Sequence, residues 1–354
     1  MAAPLMEKDV ELGFVEETDK KLLTSRYFPS KIGGHPAWLS LDSLPTTDSL
    51  ACRICKKPTS FLLQVYSPGA EQVEAFHRTI FVFVCTDPAC NKSNTNDNFH
   101  VFRSQLPKVN KFYSAEPPDE TLPGKDEINA ASFNKICIVC GCLGPKTCSK
   151  CQSVSYCGKD HQTIDWKLGH KKSCTSKVKQ EQEERLYPSL FPEMELVTET
   201  ENYKPCDKTA DKSEEEKMKE YKEYLCSQNS AEGLKDLSET ELQKMASEES
   251  ENDKQLRKFK KRLSHEPDQV LRYSKGGEPL WIACTPKPDN IPDCDCGSKR
   301  QFEFQVLPHM LSYLDVDKVG ESLDWGVLCI YTCSKNCSIE NTYHREYIYK
   351  QDVI

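Results

Sequence analysis

The chain has 354 residues, with 47 lysines and arginines against 55 aspartates and glutamates, a formal net charge of −8. That balance excludes a protein whose main task is coating nucleic acid, so direct nucleic-acid binding is not expected, and it admits a partner that is itself basic. The opening MAAPLMEKDVELGF has acids where a secretory signal would be basic, and no stretch has the roughly 18 apolar residues of a membrane helix. The expectation is a cytoplasmic and nuclear protein with no membrane contact, in which 19 reduced cysteines point to metal rather than disulfides.

In chain order, residues 1–31 read as a lead-in with one local helix around 16–23. Residues 32–113 form a first β-rich unit, with FLLQVY (61–66) and IFVFVC (80–85) as strands because they are short and rich in β-branched and aromatic residues. A Pro- and Gly-punctuated linker follows over 114–136, then a Cys/His-dense module over 137–174. Acids outnumber bases and apolar residues are sparse over 175–250, which predicts exposed helices joined by disordered stretches. Residues 251–354 open with DKQLRKFKKRL, whose Leu256, Phe259 and Leu263 sit at helical spacing and either pack on the neighbouring strands or touch a partner. Strand-like runs then return as QFEFQV, GVLCIYTC and REYIYK.

The two strand-rich regions echo one another. GGHPAWL begins at Gly33 and GGEPLWI at Gly276. Cys52 and Cys55 answer to Cys294 and Cys296. Phe61 follows Cys55, and Phe302 follows Cys296, by the same six residues, and Gln64-Val65 and Gln305-Val306 follow by the same nine. A second strand in each region ends in another cysteine pair, Cys85 and Cys90 or Cys333 and Cys337, and VFR (101–103) and IYK (348–350) close each copy. The expected fold is therefore mainly β, a duplicated β-rich unit packed as a pseudo-twofold pair, with small zinc-bound modules and the Cys/His module and charged segment inserted between the copies.

Thiolates and imidazoles bind zinc four to a metal. Eight ligands between 137 and 174 make two sites, and in a cross-braced module alternate pairs share a metal. One site is then Cys137, Cys140, Cys157 and His161, the other Cys148, Cys151, His170 and Cys174. So short a segment needs the metal for its folding free energy. Cys52, Cys55, Cys85 and Cys90, and their counterparts Cys294, Cys296, Cys333 and Cys337, follow zinc-ribbon logic and add up to two further sites; the alternative is reduced buried thiols. Cys142, Cys206, Cys226, Cys284 and Cys329 fit neither pattern. Trp38 and Trp281 either anchor each Gly-Gly-x-Pro-x-Trp loop in its own unit or meet a partner in a shared groove. No phosphate loop, nucleophile elbow or His-Glu-x-x-His motif occurs, so no enzyme is expected.

The 137–174 segment, above all YCGKDHQTIDWKLGHKKSC, resembles the MYND zinc finger. That resemblance implies a module for proline-containing peptides or corepressors, with Gln162 and Trp166 on its binding face; Trp166 packing its own small helix is the other reading. With VELGF, FPSKIGGHPAWL, CRICKKPTSFLLQVYSP, HEPDQVLRY, IPDCDCGSKRQFEFQVLPHML and DWGVLCIYTC, nearly the whole chain outside 175–250 resembles the programmed cell death protein 2 family. The resemblance implies a dedicated chaperone that escorts a newly made small-subunit ribosomal protein. A competing implication is a transcription-linked adaptor in proliferation and apoptosis that works through the finger.

Overall fold

A computed structural model of the chain describes residues 9–69, 72–118, 128–174, 187–203, 250–316 and 323–353. Its frame is a closed barrel of ten antiparallel strands. These are β1 (Glu11–Glu16), β2 (Lys31–Ile32), β3 (Ser60–Tyr66), β4 (His77–Val84), β5 (Phe99–Leu106), β8 (Met194–Thr200), β9 (Leu271–Tyr273), β10 (Arg300–Val306), β11 (Val327–Cys333) and β12 (Tyr343–Gln351), while β6 (Lys146–Thr147) and β7 (Ser155–Tyr156) form a separate small ribbon. Around the barrel the order is β1-β8-β2-β3-β4-β5-β12-β11-β10-β9.

The central strands read as unbroken apolar runs because both of their faces are covered. Along β4, Ile80, Val82 and Val84 join the barrel interior, while Phe81 and Phe83 point outward into a second core. In β11, Leu328 and Ile330 point inward, and Cys329 and Tyr331 outward.

The duplication is a pseudo-twofold. β2-β3-β4-β5 answers to β9-β10-β11-β12, and the halves meet where β5 pairs with β12. Each β3-type strand is bulged at the same place, between Phe61 and Leu63 in one copy and between Phe302 and Phe304 in the other. The symmetry extends to strands that the sequence did not reveal. β8 pairs with β2 as β1 pairs with β9, and β1 and β8 pair with each other through Phe14 and Val197. Each copy thus lends its opening strand to the other.

Two expectations are corrected here. The lead-in is not a spacer: residues 11–16 are a barrel strand, and the helix expected at 16–23 is only a 3-10 turn, Lys20–Leu23, capped by Asp19. The segment expected to be helical or disordered over 175–250 contains β8; composition averaged over many acidic residues hid a seven-residue strand. The rest of that segment up to residue 249, with Cys206 and Cys226, lies outside the described residues apart from 187–203.

One end of the barrel is closed by buried charge. Arg78 donates from Nη1 and Nη2 to both carboxylate oxygens of Glu303, and Arg103 and Arg300 clasp Glu346. Arg78 and Arg103 come from the first copy, Glu303 and Glu346 from the second, so these pairs cross the seam between the halves.

Candidate metal centres and binding faces

Four groups of cysteine and histidine have their ligand atoms within 4.8 Å of one another among the described residues. In the finger they are Cys137, Cys140, Cys157 and His161, and Cys148, Cys151, His170 and Cys174. The first knuckle is held by the amide of Gly141 donating to Cys137 O, the second by that of Gln152 donating to Cys148 O. Helix α1 (Lys159–Asp165) presents His161, and a π turn at Trp166–His170 leading into α2 (Lys171–Ser173) presents His170. His161 faces its thiols through Nδ1, His170 through Nε2.

The barrel carries the other two groups at strand ends: Cys52, Cys55, Cys85 and Cys90 at one, and Cys294, Cys296, Cys333 and Cys337 at its twofold mate. Their geometry fits zinc. With Zn–S bonds of about 2.3 Å, the edge of a tetrahedron is about 3.8 Å. The Sγ–Sγ separations are 3.6 Å for Cys55–Cys85, 3.7 Å for Cys294–Cys337 and Cys296–Cys333, and 3.9 and 3.7 Å for Cys140–Cys157 and Cys148–Cys174 in the finger. A disulfide needs about 2.05 Å. The hydroxyl and amide of Ser298 draw the Cys296 thiol down to about 6, while burial pushes its neighbours Cys294 and Cys337 up.

Each of these barrel clusters is steadied by a cation from the other copy. Arg103 on β5 donates to Cys337 O at 3.2 Å and reaches Cys337 Sγ at 3.3 Å. Its twofold mate Lys350 on β12 donates to Asn91 Oδ1 and Lys92 O, directly after Cys90. VFR and IYK follow the last cysteine of their own copy at the same offset, but nothing in the sequence shows that each cation reaches the knuckle of the other copy.

The two Gly-Gly-x-Pro-x-Trp loops are locked alike. Ala37 N–H donates to Gln64 Oε1, and Gln64 Nε2 donates back to Ala37 O; Leu280 and Gln305 repeat both bonds. Gly33 has φ +59°, and a Cβ there would stand 1.9 Å from Pro192 O, so the close backbone approach requires glycine.

Beyond the loops the copies differ. Trp38 is only 2% exposed, stacks over Phe83 and meets Tyr343 edge-on, and its indole N–H donates to Gly141 O in the first knuckle of the finger at 2.8 Å. His35 Nε2–H donates to Val139 O beside it. Finger residues Val139, Val154 and Tyr156 share one core with Phe61, Phe81, Phe83 and Phe102 of the barrel. Asp165, fully buried, accepts from Tyr156 and from Tyr187 in the loop that leads to β8. The finger is therefore not a detached module.

In the second copy that same outer face is covered by helix α3 (Glu251–Leu263). Phe259, Leu256 and Leu263 pack on Phe302, Cys329, Tyr331 and Tyr349, settling the expectation in favour of packing. Gln255 Nε2 donates to Trp281 O, and Trp281 is half-buried, edge-on to Tyr349. A groove shared by Trp38 and Trp281 is corrected: they lie in separate clusters on different halves, and Trp38 is buried under the finger. Gln162 and Trp166 are half-buried on the finger, where Trp166 meets the ligand His170 edge-on at 5.8 Å; Leu168 nearby is 46% exposed.

A further surface escaped the sequence reading. The ribbon of β1 and β8 carries Glu11, Glu16, Glu195 and Glu199 and no lysine or arginine, and Glu16 stands directly opposite Glu195. Like charges opposite each other cost stability in a sheet. The acids were visible; their convergence from positions almost 200 residues apart was not.

Comparison with known proteins follows the same outline. Residues 9–120 match the family described as "Programmed cell death protein 2, N-terminal domain", 253–354 match "Programmed cell death protein 2, C-terminal putative domain", and 137–174 match "MYND finger". The chain is 45% identical to Programmed cell death protein 2 of Rattus norvegicus over 99% of this chain and 98% of the relative. It is likewise 45% identical to that of Mus musculus, over 97% of this chain and 96% of the relative. A Schizosaccharomyces pombe protein named Probable 20S rRNA accumulation protein 4 is 26% identical over 87% of each chain. No solved structure matches the chain.

Proposed function

The chain belongs to the programmed cell death protein 2 family, and from that premise we propose that it is a non-catalytic, zinc-dependent escort for a newly made, basic protein of the small ribosomal subunit, working in the cytoplasm and the nucleus. The observation that carries this reading is the acidic β1–β8 ribbon. Glu16, Glu195 and Glu199 share one face of it, with Glu16 directly opposite Glu195, and offer a basic client both steering and neutralisation. The name of the fission-yeast relative, which refers to 20S rRNA accumulation, supports a place in small-subunit assembly.

The test is capture of small-subunit ribosomal proteins from a translating extract. Glu16→Lys with Glu195→Lys and Glu199→Lys should weaken capture by more than about tenfold, and raised salt should weaken it in the wild type. Capture that survives these changes but is lost in Gln162→Ala with Trp166→Ala would move the client to the finger. The half-exposed Leu168 beside Trp166 favours a second activity for that face, docking a proline-containing corepressor peptide.

The same reading assigns four zinc ions. The finger ligands would hold two, and Cys52, Cys55, Cys85 and Cys90, with their twofold counterparts, one each. The ions would supply folding free energy as closed structural sites. Elemental analysis should give about four per chain and about three after Cys55→Ser or Cys296→Ser. Two in every variant refutes the barrel sites.

A further inference from the structure

The net charge of −8 conceals one strongly basic surface. After Asp253, helix α3 carries Lys254, Arg257, Lys258, Lys260, Lys261 and Arg262 with no acid among them. Its apolar side is spent on the second barrel copy, so the charged sides face outward, and Arg257, Lys258, Lys260 and Lys261 are exposed. Cations in the last turn of a helix are ordinary, because they complement the helix dipole. That accounts for Lys260, Lys261 and Arg262, but not for Lys258 one turn earlier.

Beside the helix lies a cleft of about 440 Å³, lined by Lys258, Lys261, Arg262 and Arg272, with Tyr203 and Phe302 among its other walls. Arg262 and Arg272 are fixed in it by one carboxylate oxygen of Glu201, at 2.7 and 2.9 Å. The Arg262 guanidinium carbon also lies 3.3 Å from the centroid of the half-buried Tyr203 ring, which His265 meets edge-on at 5.1 Å. Against these four cations stand Glu201 and the exposed Glu278, so the cleft keeps a positive excess.

We infer that the basic face of α3 and this cleft bind single-stranded RNA, with phosphates on Lys258 and Lys261 and a base against the Tyr203–Arg262 stack. Cations that track a backbone beside an aromatic platform are the device by which proteins hold single strands. An acidic peptide would use the lysines but gain nothing from the stacked ring. A basic client would be repelled by these cations, although the cleft adjoins the β1–β8 ribbon: Val10 lines it, and Arg272 stands opposite Leu12 of β1. At about 0.1 M salt charge acts over only about 10 Å, so the cations of the cleft are felt locally and the net charge of the whole chain is not.

The test is fluorescence anisotropy of a labelled uridine-rich single strand of about 12 nucleotides with the full, zinc-loaded chain; the phosphate and stacking terms set the expected sizes. Lys258→Glu with Lys261→Glu should weaken binding by more than about tenfold, and Lys258→Gln with Lys261→Gln should lower the log–log salt slope by roughly 1.4. Tyr203→Ala should weaken binding roughly tenfold with the slope unchanged. Lys108→Glu with Lys335→Glu, exposed elsewhere, should change little beyond general repulsion. The inference falls if the wild type does not bind, if the two charge reversals weaken binding equally, or if poly-glutamate at equal charge displaces the strand as well as unlabelled RNA does. Because the four lysines are exposed, an unchanged thermal midpoint identifies lost binding as a surface effect.

Discussion

The two halves of the barrel are copies that solved one problem in different ways. Both present an outward aromatic face: Phe61, Phe83 and Phe102 in the first copy, and Phe302, Tyr331 and Tyr349 at the twofold-related positions of the second. The first half covers that face with a metal-organised finger, the second with one helix. The frame therefore dictates that something must shield the face but not what does so. The shield is where the copies differ: a finger with Leu168 exposed beside Trp166 on one, a helix with a basic face on the other.

The largest effect should come from removing the shield of the first half. Free energies of about 10 kcal/mol or more attach to structural zinc, so Cys137→Ser or Cys148→Ala should unfold the finger. Because the finger shares a core with the barrel, hydrogen exchange should also accelerate in β4 and around Trp38. Protection retained in β4 would show that the finger folds independently.

The next effect compares the tryptophans. Trp38→Ala removes a fully packed ring and its hydrogen bond to the finger, and should cost about 3–5 kcal/mol. Trp281→Ala removes a half-exposed one and should cost about 1–2 kcal/mol. Urea midpoints of the zinc-loaded variants decide; equal costs would break the asymmetry.

The third effect concerns the seam and is read by pH. Burial pushes the Glu303 carboxyl up, but the facing charge and hydrogen bonds of Arg78 outweigh it and hold the pKa at about 2, against an ordinary 4.5. A depressed carboxyl contributes stability that is complete above its unfolded value and drains away as pH falls through its folded one. Glu303→Gln should therefore flatten the acid dependence of stability between about 4.5 and 2, and should cost about 3 kcal/mol at neutral pH by stranding Arg78. An unchanged acid profile would remove Glu303 from the seam.

Much of this was legible in the chain. The duplicated Gly-Gly-x-Pro-x-Trp element, the matched cysteines and the paired Gln64 and Gln305 announced two copies, because a loop lock and a metal knuckle need particular residues at particular spacings. β4 and β11 were legible because they are covered on both faces and so are apolar throughout. β1 and β8 were not: ELGFVE and MELVTET bury little, and their placement depends on partners far away in the chain. The same distance hid the acidic ribbon and the reach of Arg103 to Cys337. Trp38 was visible as an anchor, but that it anchors the finger as well as its own loop follows only from the finger's position over the face.

The exchange of β1 and β8 also orders the life of the molecule in time. Since β1 must pair with β9, residues near the beginning wait for residue 271 and beyond before the barrel can close. Contacts that span so much chain form late and slowly. During its own synthesis the nascent chain can metallate the finger and assemble β3, β4 and β5 while its acidic ribbon is still incomplete. The acidic surface thus comes into being only after β8 has emerged, and is fixed in place only when the second copy arrives. Topology acts here as a timer that delays the acidic face until the rest of the molecule is present to hold it.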